Sequence, residues 1–544
     1  MELPALAGTA FAVVVIGCYL LESFFFLSKN PQEPEYIRPR IPLIGHLLGL
    51  NKYGSGNYFT KVGADAKSKI FSAPIFSFKF YIIAERKFIS SIQRNARTIS
   101  FAPFAAKAAH NFSGADDKAT KLQDHLGGGP EAKEFDRVQR TTLAAGPELD
   151  DMSLVATQVK LEIVDKLAAN ALESPETGVP IDLFAWVKHT IGLSATEGMF
   201  GPLNPFKNPD HEADFWYVLS DSPTFADKAH LLLPGGIIAE LFAKKAMQAR
   251  ERNGIRYEEY VRLGGTETAS GLLKGRSRIM AENGVSPRDI ARINIGFDIA
   301  MLANYVPTTW WSVFEVFSRP WLVDAIRDEV RKAVKKDENG EFSLDISIIK
   351  SACPLLLSSI QEAQRLHTIH AHIREVLRDT AITVDDKTQL LKSGNYVQIN
   401  GIPILRNEET WGPDATSFDA YRFIKMKKKP DAPGVASPGD LAPHSFPIWG
   451  VAPHVCPARW FATTGTMTLI ALMTLKLDFE IAPDFKGEGP SGREWRMPKV
   501  EGLFVALHSP AEPIPITVRS RKEFEGKWRV ENGTPGTRLQ LSVG

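Results

Sequence analysis

The chain has 544 residues, 44% of them hydrophobic and 23% charged, with a formal net charge of +1. That composition supports a large buried core, and so small a net charge with no broad basic face argues against nucleic acid as the main partner. Three cysteines, Cys18, Cys353 and Cys456, are too few for a disulfide framework and fit a reducing compartment.

The N-terminus carries a membrane signal. Residues 5–21 are apolar or small, and the run resumes after Glu22-Ser23 as Phe24-Phe25-Phe26-Leu27, long enough to span a bilayer with Glu22 snorkelling near one end. Glu2 in place of basic residues, and no small-x-small site before Lys29, fit a cleaved signal peptide poorly. Lys29, Arg38 and Arg40 follow the span and direct the rest of the chain to the cytosolic side. Residues 1–30 are therefore expected to be an anchor, joined by the hinge Arg38-Pro39-Arg40-Ile41-Pro42 to a single domain over 31–544.

Helical patterns dominate that domain, at 154–172, 231–250, 287–317, 320–335 and 461–477. Strand-like runs at 70–83, 396–404 and 502–517 fall near its two ends, so the expected class is mainly α with a small β subdomain. Lys425-Met426-Lys427-Lys428-Lys429 and the Pro/Gly-rich stretch to Pro443 read as a solvated loop, basic enough to attract an acidic electron-donor protein. The tail, 523–544, reads as loose.

The third helix has explicit punctuation. Ser286-Pro287-Arg288-Asp289 supplies an N-cap, a proline at the first helical position and a carboxylate three residues after the cap. Arg292, Asp298 and Asn304 argue against a second membrane span. Within Ala303-Asn304-Tyr305-Val306-Pro307-Thr308-Thr309-Trp310-Trp311, Pro307 has no N–H for the Ala303 carbonyl, so the helix is expected to open or kink. The opened carbonyl beside Asn304 makes a polar notch for dioxygen, water or a substrate oxygen.

Further on, Glu362 and Arg365 lie three residues apart on one helix face after the apolar run 354–360. A buried pair needs further hydrogen-bonding partners to offset its desolvation. His367, His370 and His372 have the look of a metal cluster, but strand alternation would put His370 and His372 on one face and His367 on the other. Cys456 lies in the Gly/Pro-bent segment Trp449-Gly450-Val451-Ala452-Pro453-His454-Val455-Cys456-Pro457-Ala458-Arg459-Trp460-Phe461-Ala462, ahead of a long apolar helix. A thiol at a helix mouth meets unpaired N–H groups and the positive dipole end, which favour the thiolate. Such a thiolate can ligate haem iron; a structural cysteine at the start of a core helix is the plainer reading of one residue taken alone.

The segment resembles the cysteine-ligand loop of the cytochrome P-450 haem-thiolate enzymes, Phe-x-x-Gly-x-Arg/His-x-Cys-x-Gly-x-x-x-Ala. Trp449 stands for the Phe, Ala452 and Ala458 for the two glycines, and His454, Arg459 and Ala462 fit. Glu362-x-x-Arg365, then Arg422 in Phe418-Asp419-Ala420-Tyr421-Arg422-Phe423, then the Cys456 loop, follow the family's order of parts. The resemblance implies the P-450 fold after an N-terminal transmembrane helix, a structural triad of Glu362, Arg365 and Arg422, and haem b with Cys456 as the axial thiolate. By the same resemblance Arg374 and His454 would bind haem propionates, with Ala303 and Arg459 also at the cofactor. Tyr305, Thr368, Ile369, His370, Ala371 and Leu503 would line the substrate pocket. The usual Trp-x-x-x-Arg propionate motif is missing from 124–140, where Arg137 or Arg140 could substitute.

Val306 and Pro307 stand where most of the family has an acid and an alcohol, leaving Asn304 and Thr308 as the candidates for proton relay. This version is similar to the branch containing the vertebrate sterol 7α- and 12α-hydroxylases and prostacyclin synthase. It implies a monooxygenase of the endoplasmic reticulum membrane, single-pass with its catalytic domain cytosolic. NADPH would supply electrons through a separate reductase, with cytochrome b5 as another donor. The substrate would be a bulky apolar small molecule such as a sterol, steroid, terpenoid or polycyclic secondary metabolite. The lost acid–alcohol pair leaves open a haem-thiolate isomerase or dehydratase needing no reductase, and the imperfect cysteine loop a non-catalytic haem- or sterol-binding membrane protein.

Overall fold

Ser286 begins the element that organises the domain. Its hydroxyl oxygen accepts the Asp289 N–H at 3.1 Å and its O–H donates to the Asp289 carboxylate at 2.5 Å, closing the first turn of the helix Pro287–Phe317. At about 1.5 Å per residue its 31 residues span about 46 Å. The computed structural model describes residues 30–544 apart from 40, 42–44, 76–77, 220–242, 370, 427–440, 502–506 and 543–544, and of the first 29 only 13, 16, 17 and 19–21.

This central helix runs through Pro307 as one element, so an opening or kink at the proline does not end it. The residues beyond the proline explain it: Trp310, Trp311 and Phe314 are buried, and the Ser312 hydroxyl donates to the Thr308 carbonyl at 2.8 Å. Packing holds the turn from which proline removes one backbone bond. Helices Ala102–Ser113, Leu183–Phe200, Lys244–Arg262, Pro354–His367 and Arg459–Lys476 pack against it, and Pro147–Glu173 packs against the last of these.

Two helix ends differ from expectation. The helix expected over 231–250 is described from Lys244 and continues to Arg262, because Tyr257 and Tyr260 bury one face of a stretch dense in Arg and Glu. The helix begun at Pro320 stops at Val330, where a short 3-10 turn leads into the strand Val334–Lys336.

The main sheet has the strand order Glu35–Tyr36, Ile70–Ile75, Phe78–Ile83, Tyr396–Asn400, Ala371–Val376, Ile99–Ser100. The 70–83 run is thus two strands in antiparallel register, and 396–404 is a strand followed by the short helix Gly401–Leu405. Every residue of Ile70–Ile75 is buried, so the alternation that would have marked its end is absent. His367 belongs to the end of a helix, the strand starting only at Ala371, so the expected strand placement of His367 is corrected. Among the described residues no helix is long and apolar enough to cross a membrane, and the proposed anchor lies almost wholly outside them.

The tail is not loose. Trp528–Glu531 pairs in parallel with Phe342–Asp345, whose other edge takes Val334–Lys336. Trp528 stacks on Phe342 with centroids 4.9 Å apart, and Leu539 and Leu541 are buried in the core. Asp150 fastens the strap, accepting the Gly536 N–H at 2.6 Å on one oxygen and Lys350 Nζ at 2.8 Å on the other. Lys350→Met leaves that buried carboxylate without its cation and is expected to lower stability by about 3–5 kcal/mol in urea unfolding. An unchanged midpoint would mean that the strap is not tied to the fold.

Candidate active site

Glu362 and Arg365 occupy the helix Pro354–His367, whose first turn donates the Leu355 and Leu356 N–H groups to Glu329 at 2.9 Å each. Both side chains are completely buried. Arg365 grips Glu362 with two parallel bonds of 2.8 Å, and Arg422 Nε donates to the same carboxylate at 2.9 Å. The remaining donors find backbone: Arg365 reaches the carbonyls of Leu405 and Ala415 at 2.8 and 2.5 Å, and Arg422 that of Trp411 at 2.8 Å. Asp414 supplies Arg422 with a second carboxylate at 2.9 Å. This constellation fastens 405–422 to a core helix, just ahead of the cysteine segment in the chain.

The cysteine loop is closed by the Cys456 N–H donating to the Trp449 carbonyl at 2.7 Å and that of His454 to Val451 at 3.0 Å. Gly450 has φ 91°, and a Cβ there would meet the His454 carbonyl oxygen at 2.5 Å, so only glycine fits. Burial pushes the Cys456 thiol up, while N–H groups of Ala458 and Arg459 and the Arg459 and Arg140 charges favour its thiolate. Arg459 donates to the Cys456 carbonyl at 2.7 Å and lies 3.6 Å over the Trp460 ring.

Along the cysteine loop, several buried positive and polar groups lack a partner of opposite charge. Arg374, on the strand Ala371–Val376, is 4% exposed and donates to the Val451 carbonyl at 3.3 Å. Burial lowers its pKa to about 10, and no carboxylate pairs with it among the described residues. His454 Nε2 is buried without a partner, as is Trp449 Nε1. Burial, with Arg374, His125 and Arg140 nearby, lowers the His454 pKa to about 3. The His125 ring is 5.2 Å from that of His454, a neighbour with no motif to betray it in the sequence. Of the two arginines weighed for the missing motif, Arg137 is held by Glu134, while Arg140 is held by Asp136 at 2.6 Å and reaches the Pro453 carbonyl at 3.2 Å. A thiol flanked by a buried guanidinium and an unpartnered imidazole nitrogen fits a group that carries both a thiolate-binding metal and carboxylates. Haem is such a group.

The central helix shows an open face in this region. Ala300 and Asn304 are exposed and Ala303 half-buried, while Val306, Pro307 and Thr308 are buried. Tyr305 points elsewhere than the pocket expected of it. Its ring is 6.3 Å from Phe461, and its unpartnered hydroxyl lies over Gly465, where a Cβ would collide with it. Beside that glycine is Lys160, fully buried, its pKa lowered by desolvation to about 7, with the Ala156 carbonyl at 3.2 Å. Thr368 and Ile369 are buried, Thr368 bridging Leu507. Ala371 opens its strand, whereas His370 and Leu503 lie outside the described residues, as do Lys427, Lys428 and Lys429.

The sequence model of the cytochrome P450 family matches residues 275–492, a segment holding the central helix, the Glu362 network and the cysteine loop. A cytochrome P450 monooxygenase, nodJ, of Hypoxylon pulicicidum is 30% identical over the whole of both chains. One from Gibberella zeae is 25% identical over 86% of this chain and 85% of its own. The cholesterol 7-alpha-monooxygenase of Cricetulus griseus is 25% identical over 47% of this chain and 51% of its own. The chain belongs to the cytochrome P450 family and is a monooxygenase of that family, which implies haem with thiolate ligation of the iron.

Glu362→Gln leaves two buried guanidiniums short of a charge and is expected to lower stability by about 3–5 kcal/mol in urea unfolding; a midpoint equal to wild type would discount the network. Lys160 is a separate case. With a folded pKa of about 7 against an ordinary 10.5, the unfolded chain binds the extra proton between those values, so stability rises with pH there. Lys160→Met should flatten that rise and raise the unfolding midpoint at neutral pH, and a slope surviving in the variant would assign it to another group.

Proposed function

We propose that Cys456 is the axial thiolate of haem b in a monooxygenase that inserts one oxygen atom into a C–H bond of a bulky apolar substrate. The substrate class is a sterol, steroid, terpenoid or polycyclic secondary metabolite, and NADPH supplies the electrons through a separate reductase, with cytochrome b5 as a further donor. The observation that carries this reading is the anion-deficient setting of Cys456: the buried Arg374 without a carboxylate and the unpartnered His454 Nε2. Those two residues would hold the propionates, with Arg459 and Ala303 against the cofactor. Haem so ligated supplies activation of dioxygen.

The chain's own part is positioning and proton transfer. Asn304 and Thr308 are one turn apart on the central helix, and with Val306 and Pro307 apolar and buried, they are the groups left to hold a proton near the open face. The small side chains Ala300 and Ala303 beside a single amide suit a broad apolar substrate bearing few polar atoms. A relative whose name specifies cholesterol supports the sterol end of that range. The apolar runs 5–21 and 24–27, followed by Lys29, Arg38 and Arg40, support single-pass anchoring in the endoplasmic reticulum membrane with the domain in the cytosol.

One observation favours a second reading. Apolar Val306 and Pro307 at the acid and alcohol positions suit a haem-thiolate isomerase or dehydratase that rearranges a preoxidised substrate without a reductase. The decisive measurement is the reduced carbon-monoxide difference spectrum beside Cys456→Ala, then NADPH-dependent oxygen uptake with reductase and a sterol or terpenoid panel. A thiolate-type band lost in the variant, with uptake coupled to product, is expected. Turnover of a peroxide substrate without NADPH would favour the isomerase, and an imidazole-type band would remove Cys456 from the iron.

A further inference from the structure

Asn304 and Trp311 are seven residues, about two turns, apart, so they share one side of the central helix. Asn304 is exposed whereas Trp311 is 2% exposed, so the open face ends between them. What closes it is a stack: the His367 imidazole lies flat on the Trp311 indole, with centroids 3.7 Å apart and planes 5° from parallel. His367 Nε2 bonds Glu315 at 2.6 Å, and the other Glu315 oxygen accepts Arg319 Nη1 at 2.5 Å. The indole N–H donates to the His508 carbonyl at 2.8 Å, and the His508 ring meets Asn57 Nδ2 at 3.1 Å. Leu507, next to His508, bridges Thr368, next to His367. Two chain segments, 367–369 and 507–508, therefore cross the end of the open face, and both are attached to Trp311.

A run of apolar side chains would fill this space without desolvating a carboxylate, an arginine and a histidine together. Burial works against the Glu315 charge, yet His367 and Arg319 hold its carboxyl below the ordinary range. A hydrogen-bonded polar chain of this kind favours one geometry where apolar packing would tolerate several.

We propose that Trp311 and His367 are positioning residues that set the end wall of the substrate cavity, and that by holding 367–369 and 507–508 against the central helix they limit the length of the apolar substrate admitted. This rests on the reading of the Asn304 face as the substrate side of a haem enzyme. Neither side chain touches the reacting atoms. Their effect is on the space into which a long substrate must extend, so small ligands at the iron are indifferent to them.

The test titrates the full-length haem-loaded protein with two iron-binding azoles, imidazole and the bulky trityl imidazole clotrimazole, followed by the Soret shift. Trp311→Phe keeps a ring for His367 to stack on and removes the donor to His508 with the second ring of the indole. Loss of one neutral hydrogen bond makes the wall easier to displace and should tighten clotrimazole up to about tenfold, while imidazole affinity and the carbon-monoxide spectrum stay as in wild type. His367→Gln, which keeps a donor towards Glu315 and removes the stack, carries the same comparison if Trp311→Phe does not accumulate. Unchanged affinity for both azoles overturns the proposal. So does equal weakening of both, which would mark damage to the haem site. A wild type that binds neither azole sinks the haem-thiolate reading itself, and the proposal with it.

Discussion

The domain depends on a carboxylate that water cannot reach. Glu362 is wholly buried, and its desolvation is offset only because Arg365 presents a two-bond fork and Arg422 a third donor. The two arginines in turn are satisfied by carbonyls of Leu405, Ala415 and Trp411, so a chain segment with little regular structure of its own is shaped by its obligation to those donors. That segment carries the chain into the cysteine loop, whose own geometry rests on the left-handed Gly450 and two backbone bonds.

The two buried arginine settings make an instructive contrast. Around Glu362 every donor has an acceptor, and the network is complete without any added group. Around Cys456, Arg374 and His454 are buried with less than their bonding capacity used. Native interiors rarely leave such groups short. A fold that completes one network and leaves the other wanting an anion is arranged around a ligand as much as around its own core.

What the sequence made legible is what local chemistry specifies. Both ends of the central helix could be placed, because Ser286, Pro287 and Asp289 cap one end and Pro320 follows the other. The Glu362, Arg365 and Arg422 set could be named from spacing and order. His367 was misplaced because the segment after Arg365 reads as strand throughout, and only its stack on Trp311 and bond to Glu315 show why the helix reaches it. Lys160 looks in sequence like any solvated lysine of an amphipathic helix, and its burial comes from packing beside Gly465, on a helix three hundred residues away in the chain. His125 gave no signal, since one histidine in a loop has no pattern. Tertiary contact decided each of these.

The last strand has a consequence for how the domain assembles. Trp528–Glu531 adds in parallel to Phe342–Asp345, a pairing between residues nearly two hundred positions apart, and the strap beyond it reaches Asp150. Long-range parallel pairing is slow to form because the intervening loop must close first. The ribosome has already made Cys456, Arg374 and the whole central helix before this sheet can be completed. A messenger cut short after position 520 would therefore encode all the chemistry and still yield a chain with an unpaired strand edge and an uncapped core, a substrate for quality control before it could become an enzyme.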